Sequence, residues 1–199
     1  MWCKPEYPED FKDVLRKTLK ARELDELCAK ASSPPIFVYG HLMIPTVLKY
    51  VAGISQSTKV DMIFANLPGH HLWHFSGNGE PGFPIIKPTF FPSASVEGML
   101  VFGLTWEQRS EILDFEGAQT KETILEHVEV QVLQVLDRTS KLDVKCPRSI
   151  DAGTLVWRSR GDGLESMDTS FWPIDDFISS PFFGNVVRYQ NSAQKDEDF

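Results

Sequence analysis

Glu116 stands where an apolar-periodic stretch runs into a glycine, in Leu113-Asp114-Phe115-Glu116-Gly117. Ile112 and Leu113 fit a short helix that Thr105 caps, with Gln108 completing a capping box and Gly117 supplying a left-handed stop. A carboxylate in the last turn faces the negative pole of the helix, which raises its affinity for a proton. Such a group can act as general acid and base, although the same position also suits a solvated side chain. A second stretch, Ile36-Phe37-Val38-Tyr39-Gly40-His41-Leu42-Met43-Ile44-Pro45, favours a buried strand, breaks at Gly40 and opens into a helix with Pro45 in its first turn. The N–H groups freed at such a corner can hold a carboxylate or an oxyanion, and the spacing equally fits an ordinary strand–turn–helix corner. His70, His71 and His74 invite a metal reading. Their segment reads as strand and turn, however, no Cys joins them, and the nearest carboxylate is Glu80. No metal and no cofactor are expected, so activity should survive chelation; complete loss in EDTA with recovery on adding zinc would overturn this.

The elements that must position these residues can be followed along the chain. Residues 8–31 read as helical, with Phe11, Val14, Leu15 and Leu19 in one phase and Leu24, Leu27 and Cys28 in another, which predicts two short helices or a kink. Pro34 and Pro35 end that segment. Residues 1–34 are therefore expected to form a helical extension on the outside of the core. Residues 59–71 suggest a strand entering a Pro68-Gly69 turn, 77–82 a loop, and 96–104 a strand leading to the Thr105 cap. Residues 126–136 alternate as a half-buried strand does, 137–147 read as a polar connection, and 152–157 as a closing strand. Residues 191–199 form a charged tail, with 194–199 expected to be disordered. Several strands and few helices, without regular βαβ alternation, predict an α+β domain with a mixed or antiparallel sheet.

With 199 residues and 42% apolar content, the chain can bury one sizeable core. The net charge of −8 argues against nucleic acid and anionic membrane surfaces as partners. No stretch is long and apolar enough to span a membrane, and the start lacks the apolar region of a signal peptide, so a soluble, cytoplasmic protein is expected. Cys3, Cys28 and Cys146 suit reduced thiols better than a disulfide framework. The expected partner is a small-molecule substrate.

Tyr39-Gly40-His41-Leu42-Met43, with Pro45 and Val47-Leu48 after it, resembles the Tyr-Gly-(Ser/Thr)-Leu-Met-x-Pro-x-Val-Leu opening of the gamma-glutamylcyclotransferase-like superfamily, which includes the avirulence-induced-gene-like proteins of plants and fungi. Further landmarks follow in order. Ala65-Asn66-Leu67-Pro68-Gly69-His70 is similar to the family's Ala-x-Leu-x-Gly-Tyr segment, and Phe83-Pro84-Ile85-Ile86-Lys87-Pro88 to its (Tyr/Phe)-Pro-(Ala/Gly)-(Ile/Leu)-x-Pro segment. Leu113 to Gly117 resembles its Leu-Asp-x-(Phe/Tyr)-Glu-Gly signature in a form one residue shorter, and Ala152-Gly153-Thr154-Leu155-Val156-Trp157 its closing strand. Trp172 and Phe177 are similar to its trailing aromatics.

The resemblance implies a small mixed or antiparallel β-barrel with a few peripheral helices, in a domain spanning 35–190. It also implies a metal-free reaction in which a gamma-glutamyl α-amine attacks its own γ-carbonyl, closing 5-oxoproline and expelling an amine. Glu116 is then the acid/base, Tyr39, Gly40, His41 and Leu42 the substrate clamp, and Pro84 and Ile85 part of the pocket. The chain departs from the pattern at His41, which replaces Ser or Thr, at Ile85, which replaces a small residue, and at Thr120, Lys121 and Glu122, which stand where a Tyr and an Arg are usual. Two alternatives follow from the departures: an acid/base enzyme of the same fold acting on an intermediate of specialised metabolism, or a noncatalytic small-molecule-binding protein.

Overall fold

The computed structural model describes residues 3–31, 33–75, 84–117, 122–136, 144–159 and 163–197. The loop expected at 77–82 with its Glu80, together with Phe83, Thr120, Lys121 and the 137–143 part of the expected connection, lies outside the described residues.

Nine strands are described: β1 (Leu19–Lys20), β2 (Ile36–Val38), β3 (Asp61–Pro68), β4 (His70–Phe75), β5 (Ile85–Pro88), β6 (Ser95–Phe102), β7 (Thr123–Val135), β8 (Lys145–Trp157) and β9 (Leu164–Ser166). Five close on themselves in the order β7, β3, β6, β2, β8 and back to β7. All pairs in this ring are antiparallel except β2–β8. Strands in an odd-numbered ring cannot alternate direction all the way round, so one parallel seam is obligatory. The fold is thus α+β, built on a small mixed barrel. β1 adds a parallel pairing to the far end of β7, and β5, β4 and β9 form a separate three-stranded sheet.

Around the barrel lie α1 (Glu9–Arg16), α2 (Ala21–Lys30), α3 (Pro45–Val51), α4 (Trp106–Phe115), α5 (Ile174–Ile178) and α6 (Pro181–Glu197). Successive side chains of a strand point to opposite faces. Phe37, Ile63, Leu100 and Val132 accordingly pack in one cluster inside the barrel, while their neighbours Ile36, Val38, Met62 and Met99 join a second cluster under the helices. A strand covered on both faces has no use for polar residues, which is why Ile36-Phe37-Val38 reads as an unbroken apolar run.

The N-terminal segment forms the two helices anticipated and docks on the barrel from outside: Phe11 packs in the outer cluster and Leu24 against the barrel residues, both fully buried. Two expectations need correction. Residues 145–147, read as connection, begin β8, whose register with β7 carries Pro147 opposite Leu133. At the C-terminus, α5 and α6 were not anticipated, and α6 continues to Glu197, into residues read as a disordered tail. Pro173 and Pro181 look like breakers in sequence, yet they stand at the N-cap of α5 and the first position of α6, where a missing N–H costs nothing.

The β2–β8 seam is short in strand terms, with one register pair, Ile36 and Gly153. Other bonds reinforce it along its length. Gly153 N–H donates to Pro35 O at 2.9 Å, Thr154 Oγ1 to Phe37 O at 3.0 Å, and the Tyr39 hydroxyl to Leu155 O at 3.1 Å. Arg109 Nη1 adds a bond from α4 to Pro34 O, just before β2 begins.

Candidate functional site

Because β2 and β8 run parallel, both end at the same rim of the barrel. β7, which pairs Thr123 with Trp157, starts there as well. A cavity of about 230 Å³ lies at this rim. Tyr39, Pro84, Ile85 and Glu116 all line it, although they are spread over nearly eighty positions of sequence. Phe75, Phe115, Leu155 and Trp157 supply most of the remaining wall, and Gly117 and Thr123 complete it.

Glu116 reaches the cavity as the C-cap of α4. Thr105 caps the other end, accepting from the Gln108 N–H while Gln108 accepts from the Thr105 N–H, the reciprocal box that the sequence predicts. Gly117 takes φ +80°, and Thr123 Oγ1 donates to Gly117 O at 2.7 Å, tying the helix end to the first residue of β7. The Glu116 carboxyl is almost wholly buried, and its Oε1 has no hydrogen-bond partner among the described residues. Burial pushes its pKa up to about 8. Desolvation, rather than the helix pole invoked from sequence, is therefore what holds the proton on this group.

His41 sits behind Glu116 rather than in the cavity wall. Its ring stacks on Phe177 with centroids 5.3 Å apart and meets Phe115 edge-on at 5.4 Å, placing Nε2 3.8 Å from Glu116 Oε1. Burial lowers its pKa to about 4, so the ring is neutral where the Glu116 carboxyl is largely protonated. Leu42 also stays out of the main cavity. With Tyr39 and Glu116 it lines a second crevice of about 20 Å³.

Between β2 and α3 the chain makes a 3-10 turn, Gly40–Met43, rather than passing directly into the helix. Gly40 adopts φ +66°, and a Cβ there would come within 2.3 Å of Pro84 Cγ. Glycine is thus required twice, for the left-handed backbone and for the close approach of Pro84. This contact explains why two family-like segments forty positions apart meet at one site. The opening N–H groups of such a turn have no acceptor inside it.

Tyr39 is a strut. Its hydroxyl donates to Leu155 O on β8 and is bonded by the Ile86 backbone on β5, and burial pushes its pKa well above the usual phenol range. Replacing Tyr39 by Phe strands two backbone groups in a buried place, at a cost of about 1–3 kcal/mol. The expected result is a lower urea midpoint at unchanged slope; an unmoved midpoint would show that the hydroxyl does not brace the rim.

Sequence reasoning missed Phe75, Leu155, Trp157 and Thr123 as lining residues and Phe177 as the partner of His41. Trp157 and Phe177 lay inside family-like segments without an assigned role, and no local signal marked Phe75. The three β4 histidines have separate partners: His70 Nδ1 lies 2.9 Å from Pro68 O, His71 Nε2 2.7 Å from Ser166 Oγ, and His74 Nε2 3.8 Å from Glu165. Among the described residues no group of three or more His, Cys, Asp or Glu side chains could hold a metal ion. None of the described helices is long and apolar enough to cross a membrane.

No family model matches the chain, and no curated protein matches its sequence. Solved structures with a similar fold include the solution structure of an Arabidopsis thaliana protein, at 18% identity and TM-score 0.46 over 78% of this chain and 87% of that one. Another is an uncharacterized protein from Homo sapiens, at 14% identity and TM-score 0.44 over 67% of this chain and 69% of that one. A third is a gamma-glutamyl cyclotransferase, at 15% identity and TM-score 0.40 over 66% and 68%.

Proposed function

We propose that this chain is a cofactor-independent cyclase of the gamma-glutamylcyclotransferase-like kind, closing 5-oxoproline from a gamma-glutamyl amide with Glu116 as acid/base. The observation that carries the reading is a single buried carboxyl, with a pKa raised to about 8, facing a cavity whose described walls hold no other charged side chain. The order of the sequence motifs, from Tyr39-Gly40 to Glu116-Gly117, supports the same chemistry.

The proton balance suits one such group. A substrate α-ammonium must lose two protons before it becomes a lactam N–H, and the departing nitrogen must gain two. The Glu116 carboxylate takes the first from the ammonium, and the freed amine attacks the γ-carbonyl carbon. Glu116 then gives that proton to the amide nitrogen of the tetrahedral intermediate and takes the second proton from the ring nitrogen as the C–N bond breaks and the carbonyl re-forms. It passes this proton to the released amine, ending as carboxylate. An acid whose pKa lies near that of an amine makes each transfer nearly level in energy. The opening N–H groups of the Gly40–Met43 turn serve as the clamp for the substrate α-carboxylate, and the cavity holds the chain bent for ring closure.

The test is product analysis. The purified chain is incubated with a panel of gamma-glutamyl amides, and 5-oxoproline is measured. Its stoichiometric appearance with free amine supports the reading. Saturable binding without 5-oxoproline from any member would make the chain a binding protein instead.

A further inference from the structure

The cavity has a character beyond its one carboxyl. Apart from Glu116, its described lining includes no Asp, Lys, Arg or His, and Phe75, Pro84, Ile85, Leu155 and Trp157 make up much of the wall. Phe75 and Trp157 meet edge to face, with centroids 5.3 Å apart. Phe75 is 38% exposed and Trp157 8%, so this aromatic pair leads from solvent to the interior. Ile85, also 8% exposed, lines the same cavity.

Two physical consequences follow for whatever hangs from the γ-carbonyl. An apolar group entering this slot leaves water for aromatic and aliphatic contact, while a polar one gives up hydration without replacement. A carboxylate on that group would find no cation among the described lining residues and would sit near Glu116, opposing the charged form that must accept a proton. The surplus of acid over base in the whole chain, net −8, adds to that repulsion at longer range.

We propose that the substrate is the gamma-glutamyl amide of a bulky apolar amine that carries no carboxylate, with the apolar part held by Phe75, Ile85 and Trp157. The inference rests on the cyclisation reading above, and the C–N bond broken in that reaction releases this amine. It differs from a slot for gamma-glutamyl amino acids, whose leaving group always bears an acid.

Three probes separate the features: gamma-glutamyl-phenethylamine, gamma-glutamyl-phenylalanine, which adds a carboxylate to the same ring, and gamma-glutamyl-glycine, which keeps the carboxylate and loses the ring. kcat/KM is read from 5-oxoproline, and affinity for each probe from calorimetry on the Glu116→Gln variant, where turnover does not interfere. The phenethylamide should exceed the glycine compound by about 100-fold and the phenylalanine compound by about tenfold, the range that apolar pockets and unpaired charges command. Phe75→Ala, at a partly exposed position, should narrow the first gap about tenfold. Product from all three at similar rates, or a preference for either acid, overturns the slot while leaving the cyclase standing. No product from any of them overturns the cyclase, and calorimetry then decides the slot: tighter binding of the phenethylamide supports it, and equal or absent binding sinks it.

Discussion

Glu116→Gln is expected to lower turnover of a gamma-glutamyl amide by about 10²-fold or more while substrate affinity changes far less. On the proposed mechanism the substitution keeps volume and hydrogen-bonding atoms but removes the proton carrier, whereas the clamping is assigned to the turn at Gly40. In the parent chain, activity should climb as pH rises towards about 8, because only the carboxylate form accepts the ammonium proton. The Gln variant should lack that limb. Stability moves the other way. In the fold Glu116 keeps its proton to about pH 8, while in the unfolded chain the same group releases it near its ordinary value of 4.5. The contribution is fully present below 4.5 and is lost as pH rises through 8, at about 1.4 kcal/mol per pH unit. Between pH 4 and pH 7 the stability of the Gln variant should therefore gain about 3 kcal/mol on the parent. Denaturant titrations at the two pH values read this directly, and parallel curves would mean that Glu116 is ionised in the fold.

Gly40→Ala is expected to damage both the fold and the site. The left-handed backbone at φ +66° costs an L residue about 1–2 kcal/mol, and a methyl group 2.3 Å from Pro84 Cγ forces a shift worth about 1–3 kcal/mol more. A loss of about 2–5 kcal/mol follows, together with loss of turnover, since moving Pro84 away opens the wall beside Ile85. Gly53 provides the control. It also has positive φ, at +62°, but an added Cβ there meets nothing within 4 Å, so Gly53→Ala should show the backbone cost alone. Equal losses at the two sites would show that Pro84 does not press on Gly40.

Much of this arrangement could be read before the structure, for reasons that are local. The Thr105 to Gln108 cap, the Gly117 stop and the alternation in β7 each depend on residues a few positions apart. Glu116 and Tyr39 stood out because they sit at breaks in apolar runs. The rest depends on closure of the barrel. That Leu155 and Trp157 line the cavity follows from β8 running parallel to β2, and no nearby residue encodes that direction. Burial of Glu116 arises from the residues packed around it, so a sequence argument confined to its own helix found the right direction of the pKa shift for the wrong reason.

The parallel seam also has a consequence in time. Its bonds join residues 116 and 117 positions apart, Tyr39 to Leu155 and Thr154 to Phe37. The entropy of closing so long a loop must be met before those contacts return anything, and high contact order slows folding. During synthesis β3 and β6 can pair as soon as both have emerged, but the rim that carries Glu116 waits for β8. The cavity at this rim should therefore be among the last features this chain completes as it folds.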